Sequence, residues 1–383
     1  MQELKDSKRV LIIGYEVGSL VKSIKSLFPE ILIGSVDLMG NLEVRKFANW
    51  KFSVVKQVAY EKISTPNHRS IEQYLFELSL IMIEEVEFDF LIACSPFHRK
   101  SKDLSSVVNK VKNYFPYLRI IHLNLSDFEF IKKISEESVI QSDFVIQSIT
   151  ELEISENNPI IFVCPENTFY IPSQTILQGI HKNYRGITLP ASKIHSIAFI
   201  TNQKEPICLG LQTLVRPGNH QFLLYPLEKN ALVPFNDTSN LTKDWIINIF
   251  KRIIHFLEIN SFITFYFVIS DNKLFPFSII PTFDENFRLW ELKSGRNFLQ
   301  NIIKDTFIRK IEPYGIKLPI YFPNSKLVPK IPFGIASHIN IPNSFSQPDY
   351  PVCKIFGIAS TIEKLQYHMN KRKKILYSRF SLE

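Results

Sequence analysis

RVLIIGYEVGSLVKSIKSLFPEILIGSVDL, residues 9 to 38, is the stretch on which the fold turns. Its first six residues, Arg9 to Gly14, form a near-continuous apolar run, which a strand covered on both faces requires. Within Val17 to Leu27 the apolar residues Leu20, Val21, Ile24 and Leu27 recur at helical spacing, and Ile31 to Leu38 reads as a strand again. A strand, a helix and a second strand in so short a space predict a right-handed crossover between parallel neighbours. The alternation continues outward. FSVV (Phe52 to Val55) reads as a strand, Ile71 to Ile83 as a helix and Phe88 to Cys94 as a strand. Leu104 to Tyr114 then reads as a helix and Arg119 to Asn124 as a strand. Residues 1–125 are therefore expected to form an α/β unit with a Rossmann-like parallel sheet, where ligands sit beyond the carboxyl ends of the strands.

Further along, the pattern changes. Residues 125–158 are mainly helical and polar and read as a connector. From Pro159 short strands dominate: Pro159 to Cys164, His195 to Thr201, Ile207 to Val215 and His220 to Pro226. A helix from Thr242 to Leu257 carries a stripe of Trp245, Ile246, Ile249, Ile253 and Phe256. Two strands, Phe262 to Ser270 and Leu274 to Ile280, flank the turn Asp271-Asn272-Lys273, and a helix is expected from Glu291 to about Arg309. Runs of strands capped by helices predict an antiparallel α+β domain over residues 126–317. Residues 318–350 are rich in Pro, Asn and Ser and look like a linker; a strand, Val352 to Gly357, and a helix, Thr361 to Tyr377, follow. Residues 318–383 are expected to pack on the central domain.

Composition narrows the function classes. A chain of 383 residues with 45% hydrophobic content suits two or three domains with real cores. The net charge of +8 is spread thinly, and its densest run, Lys371-Arg372-Lys373-Lys374, reads as a solvated helix end. No aromatic platform or RNA-binding motif accompanies it, so nucleic acid is not an expected partner. Cys94, Cys164, Cys208 and Cys353 are far apart and form no Cys-x-x-Cys pair, which argues against a zinc ribbon or a disulfide framework. The polar start MQELKDSKRV is unlike a signal peptide, and apolar stretches such as Phe262 to Ile269 fall short of a membrane span. A soluble cytoplasmic protein is expected, so the Asn-x-Ser/Thr triplets at Asn124, Asn236 and Asn240 carry no weight. The first turn reads Gly14-Tyr15-Glu16-Val17-Gly18, which lacks the dinucleotide fingerprint, and its glutamate would repel a phosphate. No Gly-Lys-Ser/Thr occurs anywhere.

Three segments carry a family resemblance. Val36 to Val54 (VDLMGNLEVRKFANWKFSV) resembles the segment that opens many archaeal ATP-grasp proteins, with Asp37, Gly40 and Arg45 at its recurring aspartate, glycine and arginine. Ile331 to Ser360 is similar to that family's closing segment, matched by Gly334, Pro351 and Cys353. Between them, FVISDNKLFPFSIIPTF and WELKSGRNFLQ resemble the end of the ATP-grasp domain, where Glu-x-Asn-Pro-Arg precedes a Glu-x-x-x-Gly-x-Asn helix. Glu291, Gly295 and Asn297 match that helix. The branch resembled is the archaeal carboligase-like group, kin to tyramine–glutamate ligase and more distantly to biotin carboxylase. The resemblance implies a parallel-sheet domain, a two-subdomain ATP-grasp domain and a small C-terminal segment.

It also implies a chemistry. In the family, ATP phosphorylates a carboxylate and an amine attacks the acyl phosphate; magnesium and basic side chains neutralise the phosphates. Carried onto this chain, the motif's proline is Pro281. Its glutamate then falls on Ser278, its asparagine on Ile280, its arginine on Thr282, and the aspartate of the preceding strand on Tyr266. The ATP-gripping lysine falls on Cys164, and the glycine-rich flap on Glu166-Asn167-Thr168-Phe169-Tyr170-Ile171, which has no glycine. Isoleucine cannot ligate magnesium, and a serine hydroxyl is a poor replacement for a carboxylate. Candidate substitutes are Asp284 and Glu285, just past the motif, and Glu291 at the expected helix start. His195 and Ser196 fall where relatives use a polar strand near the nucleotide, though a lone His there reads first as structural. His98 and Arg99 stand at a carboxyl strand end where an anion could be met, and Cys164 has no His nearby in sequence to activate it. The expectation is an ATP-grasp homologue without Mg-ATP catalysis or a bound cofactor, serving as a binding or scaffold subunit. It would meet a protein partner or a second copy, or hold a small anionic ligand in the old cleft, without nucleic acid or membrane. The alternatives are an active ligase using ATP and magnesium through atypical ligands, and a protein that binds ATP without turnover.

Overall fold

The computed structural model describes residues 4, 7–38, 40–54, 71–95, 119–121, 160–163, 168–171, 185–188, 193–201, 205–215, 230–235, 241–259, 262–270, 273–295, 298–299, 313–321, 331, 336 and 351–380. The helix read at 104–114, the connector at 125–158 and the strand at 220–226 lie outside them.

The first unit is a five-stranded parallel sheet in the order β3-β2-β1-β4-β5. Its strands are β1 (Arg9–Gly14), β2 (Leu32–Asp37), β3 (Trp50–Ser53), β4 (Phe90–Ala93) and β5 (Arg119–Ile121). Helices α1 (Gly18–Leu27), α2 (Leu42–Phe47) and α3 (Ile71–Glu85) connect them. The unbroken apolar run of β1 has its cause in two cores. Val10 and Ile12 pack with Val21 and Ile24 of α1, while Leu11 and Ile13 pack with Leu75, Leu78 and Met82 of α3. Alternate residues of one strand thus bury on opposite faces of the sheet.

The second unit holds a three-stranded sheet and a seven-stranded one. In the small sheet β6 (Ile160–Val163) lies between β7 (Thr168–Ile171) and β8 (Arg185–Thr188), antiparallel to both. The large sheet uses β9 (His195–Ile200), β10 (Ile207–Val215), β11 (Ala231–Pro234), β12 (Phe262–Ser270), β13 (Lys273–Ile280), β14 (Tyr314–Ile320) and β15 (Cys353–Ala359). Its order is β13-β12-β9-β10-β11-β14-β15, antiparallel throughout. Helix α4 (Lys243–Phe256) is capped by Thr242, whose Oγ1 accepts from Trp245 N at 3.2 Å. Its Phe250 ring packs 4.9 Å from Phe265 and 5.0 Å from Phe267. Phe256, read as part of the buried stripe, is 42% exposed, and Phe250 and Ile254 take its place.

Several elements differ from the sequence reading. Helix α5 (Phe287–Ser294) begins ahead of the expected Glu291, because the turn at Asn286 starts it and Phe287, Leu289 and Trp290 supply its buried face. Gly295, at φ 91°, ends it. Strand β14 carries no strand pattern in the sequence, and it runs across residue 318, where linker composition begins. It pairs with β15 from Tyr314↔Ala359 to Ile320↔Cys353, so the chain's last strand completes the central sheet. Helix α6 (Ile362–Phe380) lays Leu365, Met369 and Leu376 against this edge. Among the described residues no helix is long and apolar enough to cross a membrane.

Candidate functional site

Strand register places the family-matched positions. Across four strands of the large sheet, Ser278, Tyr266, Ser196 and Gln212 stand directly opposite one another. Side chains alternate along a strand, so Thr264 and Ile280 share their face. Tyr266 and Ile280 are each 1% exposed and Ser278 is 8% exposed. With its amide turned so that the nitrogen faces them, Gln212 donates to the carbonyls of Val233 and Gly315. Among the described residues no hydrogen-bond partner meets Ser196 Oγ or Thr264 Oγ1. The positions matched to the motif's glutamate, asparagine and preceding aspartate therefore come together on one buried face as serine, isoleucine and tyrosine. His195 points to the other face, where its ring lies 4.9 Å from Phe235 and 5.4 Å from Phe267 and its Nδ1 meets Thr213 Oγ1 at 3.1 Å. That is a packed core histidine.

The loop after β13, residues 281–286, leaves the sheet and crosses to the parallel unit. Thr282 Oγ1 donates to Ala93 O at 2.9 Å, and Ser95 N donates to Phe283 O at 3.0 Å. Tyr15 N in turn donates to Ser95 O at 2.8 Å, so three chain segments meet at the carboxyl edge of β1 and β4. The acids of this loop face inward. Asp284 Oδ1 accepts from Asn286 N at 2.9 Å and Oδ2 from Asn286 Nδ2 at 3.1 Å. Lys317 of β14, fully buried, donates to Asn286 Oδ1. Lys354 of β15, also fully buried, binds both Glu285 and Glu16. Glu16 adopts a left-handed φ of 48° that turns its carboxylate inward. The glutamate read as a phosphate repellent is thus half of a clamp between the first turn and the last strand.

Burial sets the charges here. It pushes Glu16 up to about 7, with Lys354 pulling the other way and Glu285 adding to the rise. Burial draws Lys317 down to about 8, against the attraction of Glu285. Burial also opposes the charge on Lys354, yet the Glu16 and Glu285 carboxylates hold it above the ordinary lysine value. Glu291, in mid-helix rather than at a helix start, accepts from Ser23 of α1 and from Arg288. Each acid read as a possible metal substitute is therefore engaged by a protein donor. Among the described residues no group of three His, Cys, Asp or Glu side chains converges as a metal centre.

The remaining matched positions scatter. Asp37, fully buried, ties two turns: Oδ2 accepts from Val17 N at 2.7 Å and Oδ1 from Gly40 N at 2.6 Å. Gly40, Arg45 and Ser53 line a cavity of about 350 Å³ at the end of β2 and β3. Cys353 begins β15 next to buried Pro351, and burial pushes its thiol up, as it does that of Cys94. Cys164, Asn297, Gly334, His98 and Arg99 lie outside the described residues, and of the segment Glu166 to Ile171 only β7 is described. Sequence reasoning missed Lys317 and Lys354. Nothing local marks them, since lysine at alternate positions of a short strand ordinarily faces water.

No protein-family model matches the sequence, and no curated protein does. Solved structures do match. Biotin carboxylase from Campylobacter jejuni, in complex with β,γ-ATP, is 12% identical with a TM-score of 0.64, over 96% of this chain and 95% of that one. L-amino acid ligase from Bacillus licheniformis is 11% identical with a TM-score of 0.60, over 96% and 97%. N5-carboxyaminoimidazole synthase from Aspergillus clavatus, in complex with ADP and 5-aminoimidazole ribonucleotide, is 12% identical with a TM-score of 0.59, over 98% and 99%. The parallel sheet joined to the large antiparallel sheet is thus the ATP-grasp fold, the scaffold of ATP-dependent ligases and carboxylases, and this chain spans essentially all of it.

Proposed function

We propose that this protein descends from the carboxylate–amine ligases of the archaeal carboligase-like branch, has lost Mg-ATP catalysis, and works as a binding, scaffold or regulatory subunit. One observation carries the reading. Tyr266 and Ser278 stand opposite each other, with Ile280 beside them, where the family resemblance implies the carboxylate and amide ligands of magnesium. A hard divalent cation needs oxygen ligands, most of them charged, and these three positions offer two hydroxyls and a hydrocarbon. The acids nearest in sequence are committed elsewhere: Glu285 to Lys354, Asp284 to Asn286, Glu291 to Ser23 and Arg288. A retained fold without its metal ligands serves by what it binds, and a protein partner or a second copy of the chain is the occupant we favour.

A second reading has one observation behind it. Glu16, Glu285 and Lys354 do converge, at the junction of the two units, and an active ligase could use them in place of the usual set. Against it, the lysine already neutralises the pair. Thermal unfolding with ATP alone, with Mg·ATP and with neither separates the readings, because a ligand that binds only the folded state raises the midpoint. No shift at millimolar nucleotide supports the loss of the site. A magnesium-dependent shift with ADP release would establish the ligase, and a metal-independent shift without ADP release would mean binding without turnover.

A further inference from the structure

We infer that the cavity between α2 and β3 is a binding site for a small organic anion, a carboxylate or phosphate on an apolar body, with Arg45 as its anchor. The inference is independent of the nucleotide question, since the cavity lies in the parallel unit. Its volume of about 350 Å³ falls in the range of small-molecule pockets, roughly 300–1,000 Å³. It opens at the carboxyl ends of β2 and β3, the edge at which parallel sheets hold ligands.

The cavity is built rather than incidental. Gly40, at φ 59°, brings its loop against β3 so closely that a Cβ there would lie 2.7 Å from Ser53 Cβ. The bond from Gly40 N to Asp37 Oδ1 fixes that loop from below, and the other oxygen of this carboxylate accepts from Val17 N. Val44 and Phe52 form the apolar lining. Arg45 is half-buried, and among the described residues no acceptor meets its guanidinium. Lys51 donates to Arg45 O at 2.9 Å and Ala48 O at 3.3 Å, which caps the last turn of α2 and pins a second positive charge at the rim. None of the described residues lining the cavity is acidic. Glu43 stands two residues before Arg45, about 200° around the helix, and acts instead on Lys22. A cleft lined by one sign of charge with apolar walls concentrates the opposite sign, and the planar guanidinium suits the paired oxygens of carboxylate or phosphate.

Saturation-transfer NMR of the full chain, free of metal and nucleotide, tests this with benzoate, phenyl phosphate and uncharged benzyl alcohol as probes. We expect millimolar or tighter binding of at least one anion and none of the alcohol; which anion binds more tightly identifies the headgroup. Arg45→Gln should weaken that binding about 10-fold or more, and Arg45→Lys by less. Phe52→Ala should weaken both aromatic anions through the lost apolar wall. Circular dichroism melts confirm that each variant folds. Failure of both anions to bind the wild type overturns the proposal, as does a folded Arg45→Gln variant that binds them as tightly as the wild type does.

Discussion

Two regions of the central sheet treat polar side chains in opposite ways. On the face shared by β12 and β13, Tyr266, Ser278 and Ile280 lie buried among strands, and Ser196 and Thr264 bury hydroxyls that no described residue answers. At the other edge, on β14 and β15, two fully buried lysines each reach an acidic or amide partner delivered from a different segment. The first region has polar atoms without charge; the second has charge arranged almost in balance. Burying an ion costs several kcal/mol unless partners and hydrogen bonds offset it, so charges survive only where geometry supplies both. The junction of the two units supplies them, and the stretch around Tyr266 and Ser278 does not.

The contrast can be broken most severely at Lys354. Lys354→Met leaves Glu16 and Glu285 buried together with no cation between them, and urea denaturation should show a loss of about 3–5 kcal/mol. Adding Glu16→Gln and Glu285→Gln to the same chain should return most of it. A smaller loss, near 1 kcal/mol, would mean the junction is hydrated.

The pH dependence comes next. Glu16 has a folded-state value of about 7 against an ordinary 4.5, so between those values the native state holds a proton that the unfolded chain has released. Its contribution is fully present below pH 4.5 and is lost as the pH rises through 7, on the order of 3 kcal/mol. Lys317 acts in a higher window: its lowered value adds stability above its unfolded range and loses it as pH falls toward 8. Stability curves of wild type and Glu16→Gln from pH 4.5 to 7 should diverge, with the variant lacking the decline.

Two milder substitutions sharpen the comparison. Thr282→Val removes the donor to Ala93 O at the junction and should cost about 1–2 kcal/mol. Ser196→Ala on the opposite region removes a hydroxyl that faces no described partner, and should leave stability unchanged or raise it by up to about 1 kcal/mol.

Much of this fold is legible in the chain. The apolar run of β1, the helical spacing of α1 and the paired strands β12 and β13 all appear within a few residues of where periodicity puts them. β14 escaped because its buried positions ahead of Ile320 are Gly315, Lys317 and Pro319, while Ile316 and Leu318 pack toward α6 and stay half-buried. That inverts the usual alternation, and it does so because the inward lysine has Asn286 to receive it. The junction escaped for a related reason. Glu16 and Lys354 are 338 residues apart, and neither segment contains a cue that it will be covered. By contrast, Tyr266, Ser278 and Ile280, which the resemblance singles out by spacing alone, lie together on one face by strand register.

The link between Glu16 and Lys354 also bears on biosynthesis. A ribosome must deliver a further 338 residues after Glu16 before the first turn can meet Lys354 of β15, so the parallel unit waits with a carboxylate uncovered and the large sheet with an unfinished border. Contacts of such long sequence separation form late and slowly, and nascent chains that expose open strand edges tend to associate. Stalling translation shortly before residue 353 should therefore yield a chaperone-bound intermediate, whereas emergence of β15 and α6 should let it close.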